Sequence, residues 1–202
     1  MKRITLIFIC LSALTASAQS PLQDSVINFQ DSIATERSKL LKNNMWVLGA
    51  WAGANIVQGS ISAGNAQGSD QYFHRMNVYW NTVNLAIAGI GMLAAKKQLA
   101  GEHSLNRNQR EQQALEKLLL LNTGLDMAYM ATGLYLKERG ARTSSDQATG
   151  YGNSLLLQGG FLLVFDLIQY FENRRISKAL DKNAGRWELG STPNGMGLAY
   201  RF

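Results

Sequence analysis

Four stretches of this chain are almost free of charge. No charged residue stands between Lys42 and Asp70, and none between Arg75 and Lys96. Between Lys117 and Lys137 the only one is Asp126, and between Asp146 and Glu172 the only one is Asp166. Each stretch holds a helix of about 20 residues, enough to cross a ~30 Å hydrocarbon layer at 1.5 Å per residue. A soluble helix of that length shows Lys and Glu on its wet face. These stretches do not, so all their faces are expected to be buried or in lipid. The pattern predicts spans near 45–64, 76–96, 117–137 and 152–172, forming one bundle over 45–175. The runs Leu118–Leu121 and Leu155–Leu157 break the alternation that barrel strands need.

The flanks read differently. Over 19–44, Val26, Phe29, Ile33 and Leu40 recur at helical spacing among Asp, Gln, Arg and Lys. That predicts an amphipathic N-terminal helix, docked on another helix or lying on a membrane surface. The basic tail 176–202 carries a turn signal, Pro193-Asn194-Gly195, and an alternation of Met196, Leu198, Tyr200 and Phe202. It predicts a short β-like segment similar to the last strand of outer-membrane barrels. The expected fold is therefore all-α, a four-helix transmembrane bundle with an amphipathic helix before it and a β-like tail after it.

Within the apolar windows, polar residues fall in stripes. The first carries Asn55, Gln58 and Ser62. The second carries Asn77, Asn81 and Asn84. The third carries Asn122, Asp126 and Tyr129, and the fourth carries Gln158, Asp166 and Gln169. Steps of three and four align such side chains on one helix face. Polar atoms in lipid need partners, so the stripes should converge on the bundle axis. Asp126 is central in its window with no Lys, Arg or His in any window. It is expected to face the bundle interior near Asn81 or Asn84 and the fourth helix as a neutral, hydrogen-bonded acid, approaching Asp166 if the third and fourth helices are antiparallel neighbours. Gly49 and Gly53 suggest a close helix approach. Trp46, Trp51, Tyr72, Tyr79, Trp80, Tyr135, Tyr151, Tyr170 and Phe171 gather towards window ends, as in an interfacial aromatic belt.

Composition narrows the chemistry. With two His and one Cys, no nucleophilic triad or metal-ligand set is expected. Gly89-Ile90-Gly91-Met92-Leu93-Ala94 imitates a dinucleotide fingerprint but lies inside an apolar helix with no strand before it. His74 and His103 flank opposite ends of the second window. Neither catalysis, a cofactor nor a metal is expected. The formal charge of +6 flanks apolar segments, which argues for a membrane partner rather than nucleic acid. Lys2 and Arg3, the apolar run Ile4–Leu14 and Ala16-Ser17-Ala18 read as a signal peptide over 1–18, placing the chain in the cell envelope of a bacterium. Cys10 lies inside it. Cleaved export puts the basic flanks outside the cytoplasm, whereas the positive-inside rule puts them inside.

Tyr79-Trp80-Asn81-Thr82-Val83-Asn84-Leu85 echoes Tyr151-Gly152-Asn153-Ser154-Leu155-Leu156-Leu157 at a spacing of 72, and Gly53-Ala54-Asn55 echoes Gly124-Leu125-Asp126 at 71. The echoes predict two duplicated helical hairpins. Together with Ala16-Ser17-Ala18-Gln19, Asn122-Thr123-Gly124-Leu125-Asp126 and Gly150-Tyr151-Gly152-Asn153-Ser154-Leu155, they make most of residues 20–185 resemble a family of small exported or membrane helical proteins of Bacteroidota-type bacteria. That resemblance implies no activity. The expected function is a non-enzymatic integral membrane protein of the envelope in a structural or interaction role, with the lipid membrane, a second copy or another envelope protein as partner. A small transporter or channel element is the first alternative, and a soluble exported bundle the second.

Overall fold

The computed structural model describes residues 21–100, 103–184, 187–192 and 195–200. The expected signal segment 1–18 and the Pro193-Asn194 corner lie outside them. The described chain is all-helical apart from one small hairpin at its end. Helices α1 (Pro21–Asn65), α2 (Gly68–Gln98), α3 (Leu105–Thr143) and α4 (Asp146–Ala184) run up, down, up and down. Strands β1 (Trp187–Thr192) and β2 (Gly195–Tyr200) then pair antiparallel, with Trp187 opposite Tyr200 and Thr192 opposite Gly195.

Two tight turns close the helical hairpins. Ala66-Gln67 leads into Gly68, whose φ of 58° suits a residue without Cβ. Ser144 caps α3 in the left-handed region at φ 50°, and the Ser145 amide donates to the Gly140 carbonyl at 3.0 Å. The tips thus lie 78 residues apart in sequence, not 72. Tyr79 stands eleven residues into α2 after Gly68, but Tyr151 only five into α4 after Asp146. The sequence echoes therefore do not mark equivalent positions of the two hairpins.

The helices outrun the apolar windows. The stretch 19–44 is not a separate helix: α1 continues from Pro21 through the first window because no Gly or Pro interrupts residues 22–48. Helix α3 begins at Leu105 rather than 117, and α4 runs to Ala184 rather than 175. All these extensions lie at the end remote from the turns. The bundle therefore has a stem, built from the start of α1 and α3 and the end of α2 and α4, and an upper half ending in the two turns.

In the stem, Ile33, Ile176 and Leu180 are buried, with Phe29, Leu40 and Leu105 packed around them. The N-terminal stripe thus docks on α4. Lys178, Lys182, Arg174 and Arg175 are exposed. Arg37 is buried and crosses to α3, donating to the Asn108 carbonyl and to Asn108 Oδ1, both at 3.3 Å, and ion-pairing with Glu111. Burial pushes its guanidinium below the usual value, and the nearby Glu111 carboxylate opposes that. Arg107 Nε holds the other Glu111 oxygen at 2.8 Å. His103 is likewise structural, within 2.8 Å of Asp31 and 2.9 Å of the Gln98 carbonyl.

The upper half packs on small residues. A Cβ on Gly133 would come within 2.8 Å of the Gly152 carbonyl oxygen, and one on Gly152 within 2.6 Å of the Gly133 oxygen. Gly140 against Thr149 and Gly159 against Met130 extend the same α3–α4 contact one heptad along each helix. The expected approach at Gly49 and Gly53 is not where the helices are closest. Gly49 has only an ordinary contact with Ala88 at 3.6 Å, and Gly53 faces open space. Helix α2 packs along α1 and against α4, but no Cα of α2 lies within 8 Å of α3.

Candidate functional site

Seven-residue steps bring the polar stripes together. On α2 the buried residues are Asn77, Asn81, Asn84, Ala88 and Ala95, and on α3 they include Gln112, Leu119, Asp126, Gly133 and Gly140. Alternating steps of three and four keep one seam of each helix facing its neighbours. Here that seam is made of amides, acids and small residues rather than Leu and Ile.

Two polar networks result. Nearer the turns, Asn77 Oδ1 accepts from Ser154 Oγ at 2.6 Å and from Gln158 Nε2 at 3.1 Å. Trp51 Nε1 donates to Gln158 Oε1 at 3.0 Å, so one amide pair joins α1, α2 and α4. Asn81 donates to the Asn77 carbonyl at 2.8 Å, and Asn84 donates to Asn81 Oδ1 at 3.4 Å. Nearer the stem, Asn44 Nδ2 donates to Gln169 Oε1 at 3.1 Å, and Gln169 Nε2 donates to Asp166 Oδ1 at 3.1 Å. Asp166 interacts in turn with Asn122 and with Asp126. Asp126 is 3% exposed, and its Oδ2 has no hydrogen-bond partner among the described residues.

The second network opens into a cleft of about 690 Å³ between α2 and α3. Its walls are apolar, with Val83, Ile87 and Ile90 on one side and Leu118, Leu119 and Leu125 on the other. Phe165 and Met45 form part of its floor. Its polar lining comes from Asn84, Asn122, Asp126, Asp166 and Gln169. Trp80 and Tyr129 meet edge to face at 4.7 Å between centroids and also line it. The cleft lies where α2 and α3 have no backbone contact with each other, while α2 stays in contact with α4.

Of the ten residues expected to share a polar core, Asn81, Asn84, Asp126, Gln158, Asp166 and Gln169 are buried, and Asn122 and Tyr129 are half-buried at the cleft. Asn55 and Gln58 are not brought in. Asn55 is half-buried and donates to the Trp51 carbonyl of its own helix at 2.9 Å, while Gln58 is exposed and bonds Ser62. Helix α1 turns its Ala52 and Gly59 face inward there, which leaves Asn55 and Gln58 to the side. Buried polar residues not expected from the stripes include Asn44, Asn108, Gln112 and Asn173. Gln112, Leu119 and Asp126 stand seven apart, as do Asp166 and Asn173, and that heptad spacing was the signal for them.

The exterior of the upper half has the opposite character. Val57, Ile61, Val83, Ile90, Leu93, Leu121, Met127, Leu134, Val164 and Ile168 are each more than half exposed. Among the described residues, α2 and α4 are long and apolar enough to cross a membrane. Their apolar windows are only 22% and 39% buried, unlike the core helix of a soluble protein. Inward Asp126 and half-buried Asn122 lower the average hydropathy of α3, and Asn55 and Gln58 lower that of α1, although α3 turns four Leu and a Met outward between 118 and 127. The exposed aromatics sit towards the ends of the charge-free windows. Trp46 and Phe171 lie at the stem side of their windows, and Tyr79 and Tyr135 at the side of the turns. Trp51 instead stacks on Phe161 at 3.9 Å inside the bundle.

The model of a family of unknown function, DUF6992, matches residues 47–167. No curated protein and no solved structure matches the chain.

Proposed function

The chain belongs to DUF6992, a family of unknown function, and from the inverted polarity of the upper half we propose that it is an integral membrane protein of the bacterial envelope. In this reading the upper half of all four helices lies in the bilayer. The stem stands in water with its basic surface against the lipid headgroups. The role is non-enzymatic, structural or interactive, exercised through the lipid surface and through contact with a second copy or another envelope protein. Export by the N-terminal segment belongs to the same reading.

One observation carries it. The upper half buries Asn77, Asn81, Ser154, Gln158 and Asp166, while Val164, Ile168, Leu121 and Ile90 are exposed. Water would penalise that arrangement on both counts. Each fully exposed large aliphatic side chain forgoes about 1.5–3 kcal/mol of burial. In hydrocarbon the outward face is neutral, and internal hydrogen bonds are what polar groups require. Exposed aromatics towards the window ends, such as Trp46 and Phe171 on the stem side, fit a headgroup boundary.

Fractionation tests the reading. The tagged chain should stay in the membrane pellet through a carbonate wash and enter solution only with detergent. Release of most of the chain by carbonate would establish the soluble exported bundle instead.

A further inference from the structure

We infer that the cleft between α2 and α3 binds an amphiphile with an apolar body and a single ammonium head, entering sideways from the bilayer. The inference rests on the membrane placement proposed above. Its volume, about 690 Å³, is that of a small-molecule site rather than a packing defect. The outer walls are open: Val83, Ile90 and Leu118 line the cleft and are each more than half exposed. An apolar chain in lipid reaches such a cleft without crossing water.

The polar end selects the head. Asp126 and Asp166 interact directly there, and among the described residues no Lys, Arg or His lines the cleft. Gln169 already serves Asp166, but the Oδ2 of the buried Asp126 has no donor among those residues. A buried acceptor without a partner is costly, and a charge-assisted donor is its strongest complement. An ammonium brings three donors and one positive charge to two acids. Trp80 and Tyr129 stand beside Asp126, and aromatic faces also favour a cation. A carboxylate head would meet two acids and no cation. A hydroxyl head would bring one donor and no charge.

Three twelve-carbon probes separate these heads: dodecylammonium, dodecanol and dodecanoate, competing for radiolabelled dodecylamine on the full chain in a maltoside detergent. The wild type should bind the amine about tenfold tighter than the alcohol, the contribution of one hydrogen bond to a charged group, and the acid most weakly. Asp126→Asn with Asp166→Asn should abolish that preference while helicity is kept. Val83→Trp, on an exposed wall, should block the cleft without touching the acids. Equal binding of amine and alcohol, or a preference surviving Val83→Trp, would overturn the inference. Carbonate fractionation of the same preparation distinguishes the two failures. A chain retained in membranes without amine preference refutes only the cleft, whereas a carbonate-soluble chain refutes the membrane placement.

Discussion

Helix α4 changes polarity partway along its length. Towards the turns, Ser154, Gln158, Asp166 and Gln169 are buried while Val164, Ile168 and Phe171 are exposed. Towards the stem, Ile176 and Leu180 are buried while Arg174, Arg175, Lys178 and Lys182 are exposed. The same continuous helix, packed in the same bundle, presents opposite exteriors over successive turns, while polar Asn173 and Ser177 are buried in its stem portion as well. Hydrogen-bonded helix geometry is indifferent to this reversal, because every backbone group is satisfied within the segment. What changes is the solvent that each exterior is suited to meet. A seam of amides and acids holds the helices together where the outside is apolar. Where the outside is wet, the aliphatic Ile33, Ile176 and Leu180 share the interior with the contacts of Arg37 with Asn108 and of Gln112 with Asn173.

The contrast is open to test, and the largest effect should come from the stem. Arg37 is a buried cation that crosses from α1 to α3, to Asn108 and Glu111. Arg37→Met should destabilise the stem by about 3 kcal/mol, because Asn108 and Glu111 lose a buried charged partner. Hydrogen exchange should show faster opening in residues 28–40 and 105–115, with little change above. Uniform loosening of the whole bundle would mean that the halves are not separate units.

A charge placed on each exterior comes next. Val164→Arg should reduce membrane insertion by about 2.5–3.5 kcal/mol, the cost of Arg near the centre of a lipid-facing helix. Gln113→Arg on the exposed face of the stem should stay within about 0.5 kcal/mol of wild type. Membrane retention in carbonate reads both. Equal tolerance would remove the distinction between the exteriors.

Glycine positions give a smaller, more local contrast. Gly133→Ala puts a methyl into the Gly152 backbone and should cost about 1–3 kcal/mol. Gly53→Ala meets open space and should be neutral or gain up to about 1 kcal/mol from helix propensity. Thermal unfolding in detergent checks the sign of each. A modest loss is also expected of Asn77→Ala, which removes the acceptor of Ser154 and Gln158. In the proposed bilayer setting it should cost about 0.6–2 kcal/mol, because the freed groups find other partners. A loss as large as that of Arg37→Met would show that the amide seam, not the stem, anchors the fold.

Much of the architecture is legible in the order of residues alone. The windows without charge locate four helices, because an uncharged stretch of that length has only a few physically sensible uses. The stripes Asn77-Asn81-Asn84 and Asn122-Asp126 locate the inward faces of α2 and α3, because helical periodicity alone decides which side chains share a face. Position relative to other helices is a different matter. Asn55 and Gln58 satisfy the same local pattern yet lie off the seam, since the orientation of α1 is set by where Ala52 and Gly59 pack. The two echoes at 71 and 72 are similar words in the chain, but the turns that define equivalence stand 78 apart.

Local sequence therefore determined that this chain makes long uncharged helices, which faces of α2, α3 and α4 are polar, and that a buried acid pair on α3 and α4 was to be expected. Only the tertiary structure decided that Gly133 and Gly152 rather than Gly49 and Gly53 let two helix backbones approach closely, and that α2 and α3 stay apart on either side of a cleft beside Asp126. The physical reason is range. Periodicity and charge act within a few turns of one helix. A helix crossing, a heptad register between partners and the cleft left where two helices part depend on contacts between residues scores of positions apart, and no short stretch of the chain encodes them.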